Sequence, residues 1–326
     1  MKIRHLDLDH PTSNPEHEAL ALPPVEYEVE HAFERPAIRI LSFGVVGVLM
    51  GLLVYLAYRL FLGGNSQSGL ELIEQTLRDP MFWTAVAVGL LAQAIDGALG
   101  MAYGITSSSF LLAAGAPPAM ASGATHLAEV FTTGVSGVSH LRLGNVHKRL
   151  FFSLLLPGTI GALVGVYILG NVDGAVLKPF VSAYLLVMGL YVFSKAFRRI
   201  AAQREVHTRK VIPLAFFGGL MDTTGGGGWG PIVTTSLVGA GNDPRTTIGS
   251  VNLAEFFLTV TVAASFLSIL EPSVWVLVAG LACGGLIAAP FAAYMTKHLR
   301  AKVLLMLVGA LITSISVFNL ARAWST

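Results

Sequence analysis

Charge is scarce in this sequence: Asp, Glu, Lys and Arg supply 12% of 326 residues, while 54% are hydrophobic. That is too little charge to cover a soluble globule of this length, so a polytopic membrane protein is expected. The net charge is only +2, and the basic residues stand in short clusters between apolar segments. No broad basic face exists for nucleic acid. Cysteine is nearly absent: Cys283 stands alone, which excludes an intramolecular disulfide and a thiolate metal cluster. Lying in an apolar stretch, it reads as a small core residue. Gly225 to Gly228 lacks a following Gly-Lys-Ser/Thr and a preceding strand, so a phosphate loop is set aside. Residues 1–36 are polar, without a basic start followed by an apolar core, and read as a cytoplasmic tail rather than a cleavable signal peptide. The spacing of His5, His10, His17 and His31 in that tail fits no compact metal site.

What is present is a duplication. Sliding the chain by 126 residues (222 − 96) lays Asp96 on Asp222, Gly100 on Gly226, Tyr103 on Trp229, Gly104 on Gly230, Pro118 on Pro244 and Leu127-Ala-Glu129 on Leu253-Ala-Glu255. The spacing between acids is the same in both copies, 129 − 96 = 33 and 255 − 222 = 33. Each copy opens on a glycine-broken apolar element, Met81 to Gly115 and Val211 to Ala240. Three helices follow in each, at about Ala119–Leu141, Leu150–Leu169 and Val176–Phe197, then Thr246–Leu270, Val274–Thr296 and Val303–Ala323. The resulting division is an extra transmembrane helix at 37–62, an interfacial linker at 63–80, a first repeat at 81–197, a basic cytoplasmic linker at 198–210 and a second repeat at 211–323.

Lys and Arg collect at 142–149, 195–210 and 297–302, and all three loops are expected in the cytoplasm. If each broken element crossed the membrane once, the last two clusters would fall on opposite sides. If each is a re-entrant hairpin, every repeat has three full crossings, the second repeat is inverted, and all three clusters lie inside. The 30 residues of Val211 to Ala240 (240 − 211 + 1) span ~45 Å as helix, too long for one straight crossing and too short for two. The expected fold is therefore an all-α polytopic membrane protein of two inverted repeats. Single kinked crossings with parallel repeats are the alternative. Inverted repeats with discontinuous helices are a secondary-transporter architecture, with the substrate near the midplane.

A half-helix that begins in mid-membrane presents N–H groups and a positive dipole end, which attract an anion. The returning half-helices begin near Tyr103-Gly-Ile-Thr-Ser-Ser-Ser109 and Trp229-Gly-Pro-Ile-Val-Thr-Thr235. These stretches make Tyr103, Thr106, Ser107, Trp229, Thr234 and Thr235 candidate substrate-binding residues, together with His126 and Asn252 one turn before the paired glutamates. A carboxylate in such segments costs at least ~2.5–3.5 kcal/mol unless it is protonated, capping N–H groups or facing water. Asp96 and Asp222 read as structural acids at the helix breaks. Glu129 and Glu255 read as proton-coupling groups, with His126 placed to relay protons. His140 and His147 read as solvated at a cytoplasmic helix end. No metal or cofactor is expected. Carboxylates and imidazole would also suit a divalent cation, and a passive anion channel and an intramembrane enzyme remain as alternatives. The absence of a nucleophile–base pairing speaks against the enzyme.

Asp96-Gly-Ala-Leu-Gly-Met-Ala-Tyr103, His126-Leu-Ala-Glu129, Ser139-His-Leu-Arg-Leu-Gly-Asn-Val146, Gly225-Gly-Gly-Gly-Trp-Gly-Pro231 and Gly249-Ser-Val-Asn-Leu-Ala-Glu255 together resemble the sulfite/organosulfonate exporter family, TauE/SafE. The resemblance spans about Trp83 to Asn319. It implies export of small sulfur oxyanions, sulfite or organosulfonates, across a bacterial inner membrane, with antiport against protons. Where the family has a glycine cluster in its first repeat, this chain has Ala98-Leu-Gly-Met-Ala102.

Overall fold

A computed structural model describes residues 36–61, 69–99, 101–197, 208–240, 242–266, 274–298 and 301–324. The polar tail before Pro36, residues 62–68 and most of the basic linker expected at 198–210 lie outside the described residues. Among those described, helices account for nearly all of the chain and no strand occurs.

The helix α1 (Pro36–Phe61) and the short amphipathic α2 (Gly69–Arg78) precede α3 (Pro80–Leu99), α4 (Tyr103–Ala113), α5 (Pro118–Arg142), α6 (Lys148–Asn171) and α7 (Gly174–Lys195). The same order recurs as α8 (Thr208–Gly225), α9 (Gly230–Gly239, with a π-helical first turn), α10 (Pro244–Phe266), α11 (Val274–His298) and α12 (Ala301–Trp324). Pro118 and Pro244 occupy first helical positions, where the missing N–H forfeits no bond. Asp173 caps α7 by accepting from Ala175 N at 2.8 Å, and Asp243 caps α10 by accepting from Thr246 N at 2.9 Å.

Among the described residues, four helices are long and apolar enough to cross a membrane: Lys148–Asn171, Gly174–Lys195, Thr246–Phe266 and Leu305–Arg322. Their outward faces carry Phe152, Leu156, Tyr167, Phe180 and Leu307 in the open. A surface of this kind is stable against lipid and not against water. Cys283 belongs to it. The expectation of a core cysteine is corrected, because Cys283 is exposed on the face of α11 that also presents Leu286 and Ile287.

Between apolar helices in lipid, association rests on close packing, and small residues permit it. A Cβ at Gly280 would lie 2.6 Å from Phe82 O and one at Gly284 2.1 Å from Val86 O, so α11 runs parallel to α3 with backbones in contact. In the equivalent pair, a Cβ at Gly161 would lie 2.0 Å from Phe216 O and one at Gly165 2.8 Å from Thr223 Cβ, so α6 runs parallel to α8. Gly189 meets Thr313 while Gly309 meets Phe193, which makes α7 and α12 antiparallel. Gly134 meets Phe256 and Gly137 meets Leu253, which makes α5 and α10 antiparallel as well.

One end of the bundle collects the turn between α5 and α6, where His147 N donates to Ser250 Oγ at 2.8 Å. The end of α7 is there too, with Lys195 Nζ donating to Thr235 O of α9 at 3.4 Å, and so is the start of α12, with Lys302 Nζ 5.1 Å from the Phe197 ring centre. The ends of α4 and α12 meet elsewhere, where Arg322 Nη1 donates to Ala113 O at 3.4 Å.

Candidate functional site

Two helix breaks organise the interior. In the first, α3 stops at Leu99 and α4 starts at Tyr103, with Ala102 at φ 102. In the second, α8 stops at Gly225 and α9 starts at Gly230, with Gly226 at φ 68 and Gly227 at φ 147. Glycine takes such angles without steric penalty, whereas Ala102 holds one against its preference. Both breaks are bridged by an aspartate seven residues upstream. Asp96 Oδ1 accepts from Tyr103 N at 3.3 Å, and Asp222 Oδ1 accepts from Trp229 N at 2.9 Å. Each carboxylate thus answers an N–H that the helix start leaves over.

The two breaks touch. A Cβ at Gly227 would lie 2.2 Å from both the Gly104 carbonyl carbon and Ile105 N, and one at Gly104 would lie 2.6 Å from Gly227 Cα. Only bare backbone fits here on either side. The carbonyls of the second break are held from three other helices. Ser122 Oγ donates to Thr223 O at 2.6 Å, Tyr184 OH donates to Gly227 O at 3.1 Å, and Ser108 Oγ donates to Gly226 O.

Beside this contact lies a cavity of about 220 Å³. It is smaller than the ~300–1,000 Å³ of sites for drug-sized ligands and suits a small ion with a few waters. Asp96, Glu129, Asp222 and Glu255 all line it, and no Lys or Arg does among the described residues. Tyr103, Gly104 and Ile105 at the start of α4 and Gly230 and Pro231 at the start of α9 line it too, so both half-helix N-termini face the acids. Glu129 is buried, and its Oε2 has no hydrogen-bond partner.

Of the expected substrate contacts, Tyr103 and Asn252 line the cavity. Thr106 and Ser107 are fully buried on α4, away from the lining, and so is Thr234 on α9. Thr235 Oγ1 is engaged with Pro231 O and with Tyr191 OH, the latter at 3.0 Å. The Trp229 indole donates to Val251 O at 3.2 Å and packs under Gly158 and Gly218. The N-terminal ends of α4 and α9 therefore meet the cavity through Tyr103, Gly104, Ile105, Gly230 and Pro231, while the hydroxyls one turn further on are buried away from it.

His126 bonds both across the molecule, to α8, and back along its own helix. Its Nε2 lies 3.0 Å from Asp222 Oδ2 and its Nδ1 lies 2.8 Å from Ser122 O. A carbonyl oxygen only accepts, so Nδ1 carries a hydrogen. The contact with Asp222 then needs one proton, on either the imidazole or the carboxyl, and the pair is neutral as a unit. In the second half the counterpart Asn252 donates instead to Ser136 Oγ at 2.9 Å.

Gln93, Thr132, Thr133 and Ser136 also line the cavity and were not singled out from sequence, and His140, expected at a solvated helix end, lines it as well. Positions 129, 132, 133, 136 and 140 follow one face of α5, a spacing that could have found them. The expectation of a solvated His140 is corrected: it is half-buried, and its Nδ1 lies 3.2 Å from Asn145 Nδ2. His147 is exposed.

A profile of the family described as Sulfite exporter TauE/SafE matches residues 85–319. The chain is 43% identical over 245 residues to "Probable membrane transporter protein YtnM" of Bacillus subtilis (strain 168), covering 73% of this chain and 82% of that protein. No solved structure matches. The family match runs over 235 of 326 residues (319 − 85 + 1) and contains both helix breaks and all four cavity carboxyls, so the chain belongs to the sulfite exporter TauE/SafE family.

Proposed function

We propose that this multi-pass membrane transport protein is a proton-coupled secondary transporter that exports a small sulfur oxyanion, sulfite or an organosulfonate, across a bacterial inner membrane. The observation that carries the reading is the cavity at the contact of the two breaks, where helix N-termini face four carboxyl residues without a Lys or Arg among the described lining. The N-termini attract an anion, and ionised carboxylates repel it. Protons on Glu129 and Glu255 remove that repulsion, so proton and anion occupancy favour one another by linkage and the two move together, in place of the antiport that the family resemblance implies.

The same reading takes 81–197 and 211–323 as two repeats, inverted in the membrane, that alternate access to the cavity. Its support is directional. Equivalent helices are antiparallel (α5 with α10, α7 with α12), and each helix before a break runs parallel to a helix of the other half. Single kinked crossings would make those equivalent pairs parallel. Lys195 against α9 and Lys302 against Phe197 gather the basic clusters at one end, the cytoplasmic end in this proposal.

A cation in the same cavity is the second reading, favoured by the four acids. Against it, no three His, Cys, Asp or Glu groups among the described residues converge for a metal ion. Proteoliposomes decide between them. Sulfite or methanesulfonate flux that responds to an imposed pH gradient is expected. Flux indifferent to the gradient removes the coupling, and cation flux without anion flux selects the second reading.

A further inference from the structure

Most neutral polar side chains around the cavity are already committed to the protein. Tyr103 OH donates to Leu281 O at 3.4 Å, and Thr132 and Thr133 Oγ1 both donate to Glu129 O, at 3.2 and 2.6 Å. Asn252 Nδ2 donates to Ser136 Oγ, which leaves the Ser136 hydroxyl hydrogen uncommitted.

Gln93 differs from these. Only 9% exposed, it lines the cavity one helical turn before Asp96, and its Oε1 has no hydrogen-bond partner. A buried carboxamide left unpaired is unfavourable unless a ligand answers it, and the O and N ends of the group can exchange by a flip. It also has no twin. The equivalent position (93 + 126) is Gly219, where a Cβ would lie 2.1 Å from Gly158 O, so the other half has no room for a side chain.

We infer that Gln93 is the specificity-determining residue of the site and that the ligand it reads is a singly charged oxyanion of the sulfonate or hydrogensulfite type. This rests on the reading of the cavity as an anion site. An uncharged amide offers two N–H donors to adjacent oxygens without adding charge, as a lining with no Lys or Arg requires. Each further negative charge on the ligand meets a cavity lined by Asp96, Glu129 and Glu255 with no Lys or Arg to balance it, which disfavours a dianion of similar size. Hydrogensulfite would in addition donate its O–H to the amide oxygen, which a sulfonate cannot do.

The test is binding of methanesulfonate and of sulfate to the purified full chain at fixed pH and ionic strength, followed by calorimetry. The wild type should bind methanesulfonate at least about tenfold more tightly than sulfate. Gln93→Met, which keeps the length and removes the donors without adding charge, should weaken methanesulfonate about tenfold or more, and Gln93→Asn, which keeps the amide, should weaken it less. Thermal unfolding in detergent checks that each variant is folded, and the KM for methanesulfonate flux, rising with little change in maximal rate, checks the assignment independently of calorimetry. Equal affinity for sulfate, or an unchanged affinity in Gln93→Met, overturns the inference while leaving the anion reading standing. Binding of neither probe by folded wild type removes both.

Discussion

The Nε2 of His126 and the Oδ2 of Asp222 lie 3.0 Å apart in a fully buried contact, 96 residues apart in the chain (222 − 126). One proton makes that contact, and it ties α5 to the turn at the end of α8. Removing one partner leaves an unanswered polar group in an apolar interior. His126→Ala or Asp222→Ala is therefore expected to lose ~3–5 kcal/mol. His126→Asn with Asp222→Asn, which can hydrogen-bond without a shared proton, should recover a large part. A double-mutant cycle of thermal unfolding in detergent measures the coupling, and additive losses would remove the pair from the account.

Gly227 faces Gly104 with no space for a side chain and holds φ 147. Gly227→Ala combines ~1–3 kcal/mol of backbone strain with ~1–3 kcal/mol or more of overpacking. Loss of a monodisperse folded protein is the expected result on size-exclusion chromatography. Gly239→Ala is the control, because the nearest atom to a Cβ there is Lys195 Nζ at 3.7 Å. Equal tolerance of the two would mean that the breaks separate in the resting protein.

Methanesulfonate stays ionised across the working pH range, so it reports on the protein rather than on itself. Lowering pH adds protons to Glu129 and Glu255, reduces negative charge in the cavity and should tighten anion binding; raising pH should weaken it. In Glu129→Gln and Glu255→Gln the pH dependence should flatten. The measurement is the dissociation constant against pH, and a wild-type constant that does not move, or tightens with rising pH, contradicts the linkage.

For topology, cysteines at Asn242 and Thr208 on a Cys283→Ala background should react with an impermeant reagent from one side, and a cysteine at Asn171 from the other. Labelling of Asn242 and Thr208 positions from opposite sides would restore single kinked crossings.

Helix positions were legible in sequence because proline, glycine and apolar length set them locally: the span expected at Leu150–Leu169 is Lys148–Asn171, and that at Val274–Thr296 is Val274–His298. The breaks and the four acids were legible because the 126-residue offset aligns them. What a helix position meets across the molecule was not. His126 stands three residues from Glu129, which suggested a relay along the helix, yet its ring bonds Asp222 through space. Thr106, Ser107, Thr234 and Thr235 carried the right chemistry for an anion, but they stand about one turn inside helices that start at Tyr103 and Gly230, and their side chains do not follow the first-turn N–H groups into the cavity. Gln93 gave no motif at all; its importance comes from the absence of a partner.

The parallel pairing of α3 with α11 carries a consequence for biogenesis. Gly89 packs on Leu281, 192 residues later (281 − 89), so α3, the helix that leads into the first break, lacks this partner until most of the chain has left the ribosome. At ~5–20 residues per second that interval is roughly 10–40 s. During it Asp96 and Glu129 lie in a half-finished bundle, and a nascent chain stalled before α11 should be a client for insertion chaperones and a target for membrane proteases.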